Sequence, residues 1–279
     1  MNTPAKLKRD FQKRLVYALA VSLLSLPLGC SDNPTRVNSS QPAPASRSDT
    51  WENSLGMRFL PVPGLNTKMS IWETRVKDFE AFVEATGYDA AFDAWAFINE
   101  RWAQHGISWA DPGFDQTPFH PVTCVSWFDA VAFCDWLTQH ERQNGRITSR
   151  QLYRLPTEQE WERAAGTQNL NPDRLDHPLE HYLGNFHPAA KRDPFDFTSP
   201  VGSFRPNQHG FHDLAGNVWE VLADDVGEEL RLIRGGSWLN QSRQYASTFA
   251  RGFCRPDLRS VLYGFRIVLA EDNEYAMLD

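Results

Sequence analysis

The groups in this chain with reactive or ligating chemistry are four cysteines, eight histidines and a set of loop carboxylates and amides. Cys30 stands apart, close to the N-terminus. Cys124, Cys134 and Cys254 remain for the folded part, and three thiols allow at most one bridge within the chain. Cys124 and Cys134 lie ten positions apart, which is not a metal-ligand spacing. His177, His181 and His187 fall in one stretch, and His209 and His212 in another. Imidazoles suit iron or zinc. Pro178, however, breaks the helix that would align His177 with His181, so these read as loop histidines on a surface. Asp193 and Asp213, taken alone, read as turn residues.

These groups need a scaffold, and the chain is long enough to build one. Its 279 residues are 41% hydrophobic and 13% aromatic, and they carry a formal net charge of -7. That supports a sizeable core and argues against a nucleic-acid partner. The ten tryptophans serve either core packing or an aromatic-lined pocket or binding surface. Lys6, Lys8, Arg9, Lys13 and Arg14 precede an apolar run from Leu15 to Leu28. That run is too short for a comfortable membrane span and has the flanks of a secretion signal. Leu28-Gly29-Cys30 resembles a bacterial lipoprotein cleavage site, although Pro27 stands where leucine is usual; the alternative is an ordinary signal peptide or an uncleaved anchor. Ser31 after Cys30 resembles the outer-membrane default. Residues 31–50 are rich in Ser, Pro, Asn and Ala and read as a flexible tether. The expected organisation is a signal peptide over 1–30 with Cys30 lipidated, a tether over 31–50, and one monomeric domain over 51–279. The expected location is the periplasm, anchored to the outer membrane.

Trp51 to Pro63 predicts an opening strand or hairpin. A helix is predicted after Thr74, with Val76, Phe79, Phe82 and Val83 on one face and Gly87 as its stop. Tyr88 to Pro121 is aromatic-rich without clear periodicity and predicts a long irregular excursion. Ser126 with Asp129, and Thr157 with Glu160, are capping-box signals for two further helices. Cys134 then falls on the inner face of the second. Beyond Thr167 helical periodicity disappears, and Arg231–Arg234 and Gly264–Leu269 read as strands. The pattern is an α+β domain with much irregular chain.

Five segments in order carry a resemblance. They are Pro121-Val-Thr-Cys-Val-Ser-Trp-Phe-Asp-Ala130, Tyr153-Arg-Leu-Pro-Thr-Glu-Gln-Glu-Trp-Glu-Arg-Ala-Ala165, Gly216-Asn-Val-Trp-Glu220, Arg234-Gly-Gly-Ser-Trp238 and Gly264-Phe-Arg266. Together they resemble the formylglycine-generating enzyme (sulfatase-modifying factor) family from Trp51 to Leu269. The resemblance implies a single domain with a C-type lectin-like core. It also implies two calcium sites: Asn185, the Phe186 carbonyl, Asp193 and the Phe195 carbonyl in one; Asp213, the Gly216 and Val218 carbonyls and Glu220 in the other. Calcium takes such mixtures of oxygens, and the two carboxylates of the second set would otherwise repel. The family cysteine that matches Cys134 pairs near the C-terminus, where this chain has Ile267, so that bridge is absent.

The family's chemistry rests on a copper-bound thiolate pair. Counted from Gly235-Gly236-Ser237, the two positions are Asn240 and Tyr245, and no cysteine lies anywhere from Ser237 to Phe253. Asn and Tyr do not replace thiolates for copper, so cysteine-dependent formylglycine formation is not expected. Trp219 and Ser237 match pocket-lining positions of the family but read by themselves as core and turn residues. The reading that follows is an envelope-anchored binding or assembly module. It would recognise an envelope protein or a small-molecule ligand through the 88–121 excursion and the 238–253 loop. The alternative is a periplasmic oxidoreductase, because family members without the cysteines are associated with oxidative steps such as maturation of a siderophore chromophore. Its pocket candidates would be Arg243, Tyr245, Asn240 and Trp219.

Overall fold

The computed structural model describes residues 50–90, 94–98, 101–104, 106–167, 184–186, 193–227, 229–240 and 248–271. All lie in the compact unit Pro44–Asp279; the unit Met1–Ala43, with Cys30 and the predicted signal, lies outside the described residues. The opening hairpin forms as β1 (Trp51–Glu52) and β2 (Arg58–Pro61), followed by β3 (Lys68–Ser70). These join β6 (Gln151–Arg154) and β11 (Val268–Glu271) in a five-stranded sheet ordered β1-β2-β3-β11-β6. A second sheet, ordered β10-β7-β8-β9, uses β7 (Trp219–Asp225), β8 (Arg231–Arg234), β9 (Arg251–Cys254) and β10 (Tyr263–Gly264).

The helices begin where the sequence puts them. Helix α1 (Val76–Thr86) buries Phe79 and Phe82 and ends at Gly87, whose left-handed backbone lets its N–H reach the Val83 carbonyl. Helix α2 (Trp127–Gln143) has the Ser126–Asp129 box and buries Ala130, Phe133, Cys134 and Leu137. Helix α3 (Glu158–Ala165) has the Thr157–Glu160 box and buries Trp161 and Ala164.

Two predictions need correction. The 88–121 excursion is not wholly irregular: β4 (Trp95–Ile98) and β5 (Arg101–Gln104) form a hairpin. It is tied back to the body, because Trp95 N–H donates to the Arg259 carbonyl and the Trp95 carbonyl accepts from Val261. The strand expected over Gly264–Leu269 is interrupted. Here the chain leaves β10, which pairs with β7, and crosses to β11, which pairs with β3 and β6. Phe265, Arg266 and Ile267 in the crossing are all fully buried, so the stretch has no solvent-facing side.

Candidate functional site

The Gly216–Glu220 and Arg234–Trp238 motifs meet. Gly216 N–H donates to the Gly235 carbonyl, Asn217 N–H to the Asn185 carbonyl, and Trp238 N–H to the Asn217 carbonyl. A Cβ on Gly216 would lie 2.2 Å from the Asn185 carbonyl oxygen, so only glycine allows this approach. The Asn217 side-chain oxygen accepts from Ser199 N–H at 2.9 Å and fixes the Phe197–Ser199 segment alongside.

Counting from Gly235-Gly236-Ser237 assigns one of the family's two thiolate positions to Asn240. Its side-chain oxygen accepts from Ser237 N–H at 2.7 Å and Ser237 Oγ at 3.0 Å, while its own N–H donates to the Ser237 carbonyl. Ser237 is fully buried. The pair closes a turn, and Asn240 acts in it as a neutral acceptor. Trp219 is buried in β7. Tyr245 and Arg243 lie outside the described residues. The thiols do not substitute: Cys124, Cys134 and Cys254 are free and buried, with no bridge among them. Burial pushes Cys124 and Cys254 up to about 12 and Cys134 higher still, so none is a thiolate at neutral pH.

Around the turn lies an aromatic cluster that unites the two segments singled out in the sequence, with Trp238 buried, Phe114 half-buried and Phe197 exposed. Phe114, from the excursion, stacks on Phe197 with ring centroids 4.6 Å apart and planes 1° from parallel. Both meet the Trp238 indole edge-on, at 5.9 and 5.1 Å. Phe197 is 41% exposed although its carbonyl is held by Asn185 Nδ2 at 2.6 Å. Next to it, the Thr198 hydroxyl is held by Gln116 and His120.

The oxygen-rich sets differ in how they suit calcium. In the first, Asn185 Oδ1 is buried and unpartnered, a neutral oxygen left available for a cation. Asp193 lies against the same loop, accepting from Phe186 N–H at 3.0 Å and Phe195 N–H at 2.9 Å. Both Asp193 oxygens thus accept backbone N–H groups, and Asn185 Oδ1 is the side-chain oxygen of this set that a calcium ion would find without a partner. The second set is engaged in part, while Asp213 Oδ1 is buried and unpartnered. Glu220 accepts from Arg266 Nε at 2.6 Å, Arg266 Nη2 at 2.7 Å and Trp161 Nε1 at 2.8 Å. The positive charge assigned to calcium from the sequence is supplied there by a guanidinium, so the repulsion argument no longer requires a metal. Asp213, with Gly216 and Val218 nearby in the chain, accepts from Gly202 N–H at 2.6 Å. Burial raises its carboxyl to about 6. Glu73, which sequence reasoning missed, is fully buried beside it with both oxygens unpartnered; burial, and then the Asp213 charge, hold it well above the usual carboxylate range.

His209 and His212 are pushed down by burial, and His212 Nδ1 pairs with the Phe204 carbonyl at 2.8 Å. His177, His181 and His187 lie outside the described residues.

Comparisons with known proteins agree with this geometry. The family described as Sulfatase-modifying factor enzyme 1-like domain matches residues 66–271. The mouse protein named Inactive C-alpha-formylglycine-generating enzyme 2 is 30% identical over 243 residues, covering 71% of this chain and 73% of that protein. Mouse Formylglycine-generating enzyme is 34% identical over 194 residues; the match covers 56% of this chain and spans about half, 48%, of that enzyme. Among solved structures, PvdO from Pseudomonas aeruginosa superposes with a TM-score of 0.58 at 24% identity, covering 77% of this chain and 81% of that one.

Proposed function

The chain belongs to the sulfatase-modifying factor family, and from that premise we propose that it is a non-catalytic binding or assembly module, carried on the cell envelope by a lipid on Cys30. The observation that carries this reading is Asn240. At the thiolate position stands an amide oxygen already committed to the N–H and O–H of Ser237. A hard, neutral, occupied acceptor is no ligand for Cu(I), and a site without its nucleophile has no step for its neighbours to assist. The name of the mouse relative, which marks it as inactive, supports the same conclusion. The exposed Phe197 ring, backed by Phe114 and the buried Trp238, is then the recognition element, placed by the clamps on Phe197 and Thr198. We also assign the core to the C-type lectin-like kind, because its short sheets are joined by long irregular connections that carry the surface. Calcium bound by Asn185 and Asp193 would brace the segment that leads to Phe197.

The test is direct. A peptide with a sulfatase-type cysteine motif, incubated with the protein, copper and oxygen, is expected to keep its thiol. Mass-spectrometric detection of the aldehyde would overturn the reading.

A further inference from the structure

A cavity of about 210 Å³ opens at the five-stranded sheet, lined by residues that include Trp51, Lys68, Arg146, Gln151, Leu269 and Glu271. No lining residue comes from the β10-β7-β8-β9 sheet. Strand register explains how the floor is made. Lys68 of β3 stands opposite Leu269 of β11, and Glu271, two residues on, stands opposite Gln151 of β6. Side chains two apart on a strand share a face, so these four project together. Trp51 joins them through a hydrogen bond from its indole to the Tyr153 hydroxyl.

The charges in this cavity are arranged unusually. Arg146 is fixed: Nη2 donates to the Glu52 carbonyl at 2.8 Å, Nε lies 3.4 Å from Glu141, and the guanidinium sits 5.5 Å over the Trp51 ring. Glu141 answers its charge. The Lys68 ammonium and the Glu271 carboxylate have no partner among the described residues. They are diagonal neighbours on adjacent strands, with backbones about 7–8 Å apart, within reach of each other. Both nevertheless line the cavity unpaired. A phosphate there would face Glu271, and a simple cation would face Lys68. A ligand with one charge of each sign satisfies both, and Trp51 and Leu269 offer apolar surface for the carbon chain between.

We infer that this cavity binds an amino-acid-sized zwitterion, its carboxylate toward Lys68 and its ammonium toward Glu271. The volume is below that of drug-sized sites, about 300–1,000 Å³, and suits a ligand of that size. The inference stands independently of the module reading above.

Titration of the full chain with γ-aminobutyrate, butyrate and butylamine, followed by NMR or calorimetry, tests it. The zwitterion is expected to bind, with each singly charged analogue weaker by about tenfold or more. Lys68→Met and Glu271→Gln are each expected to lower the affinity for γ-aminobutyrate to that of the matching analogue. No millimolar binding of γ-aminobutyrate, butyrate binding as well as the zwitterion, or variants that bind like the parent would each overturn the assignment.

Discussion

If position 240 is the family's thiolate position, as the count from Gly235-Gly236-Ser237 assigns it, Asn240 departs from it in ligand chemistry before shape. A thiolate is soft and charged; the Asn240 amide oxygen is hard, neutral and already shared by two donors from Ser237. The opposite case is Asn185, whose oxygen is buried with no donor at all. An orphaned acceptor of this kind costs about 1–3 kcal/mol unless something fills the gap. Calcium is therefore expected to raise the thermal midpoint, by about 2.7 kcal/mol of stability when present at a hundred times its dissociation constant. Asp193→Asn is expected to abolish the rise, and magnesium to be a poor substitute because it demands tighter, octahedral geometry. Identical melting curves in millimolar calcium and in chelator would sink the calcium proposal. Asn185 and Asp193 were legible in the sequence only through family spacing. Glu73 was not legible, because its neighbours Asp213, Glu220 and Arg266 arrive from distant parts of the chain.

Among elements, the helices were readable because a capping box is local: Ser126 with Asp129, and Thr157 with Glu160, satisfy backbone donors within one turn. The β4–β5 hairpin was not, since the continuous apolar run of β4 carries no alternation, β5 has polar residues at both ends, and the docking depends on Arg259 and Val261, far along the chain. The break between β10 and β11 was hidden for a similar reason. A residue buried by a crossover between two sheets looks like any inward strand residue. Arg266 is the one that matters there. Its guanidinium reaches Glu220 on β7, the Ser70 carbonyl on β3 and the His212 carbonyl, tying the two sheets together. Arg266→Met is expected to destabilise by about 3–5 kcal/mol, because it leaves Glu220 charged and buried. It also removes the nearest cation from Glu73 and Asp213. The double variant Glu220→Gln/Arg266→Met keeps an acceptor for Trp161 Nε1 and is expected to recover part of that loss. Urea unfolding midpoints measure both. Equal midpoints for the single variant and the parent would show that the sheets are joined by packing alone.

On the scale of the whole molecule, the proposed anchor and the proposed recognition surface constrain each other. A lipid on Cys30, as proposed, would put the chain on the membrane, and the exposed Phe197 face would meet partners that are themselves at or near it. The net charge of -7 acts in the same direction, since anionic headgroups repel the domain and leave the lipid as the attachment. Cys30→Ser is accordingly expected to move the protein from the membrane to the soluble fraction and to abolish incorporation of labelled fatty acid. A one-chain anchor holds only marginally, whereas a multiply acylated cysteine holds firmly, so the parent should resist extraction by high salt and yield only to detergent. If the Cys30→Ser protein stays with the membrane, attachment runs through the Leu15–Leu28 segment instead, and the lipid proposal fails.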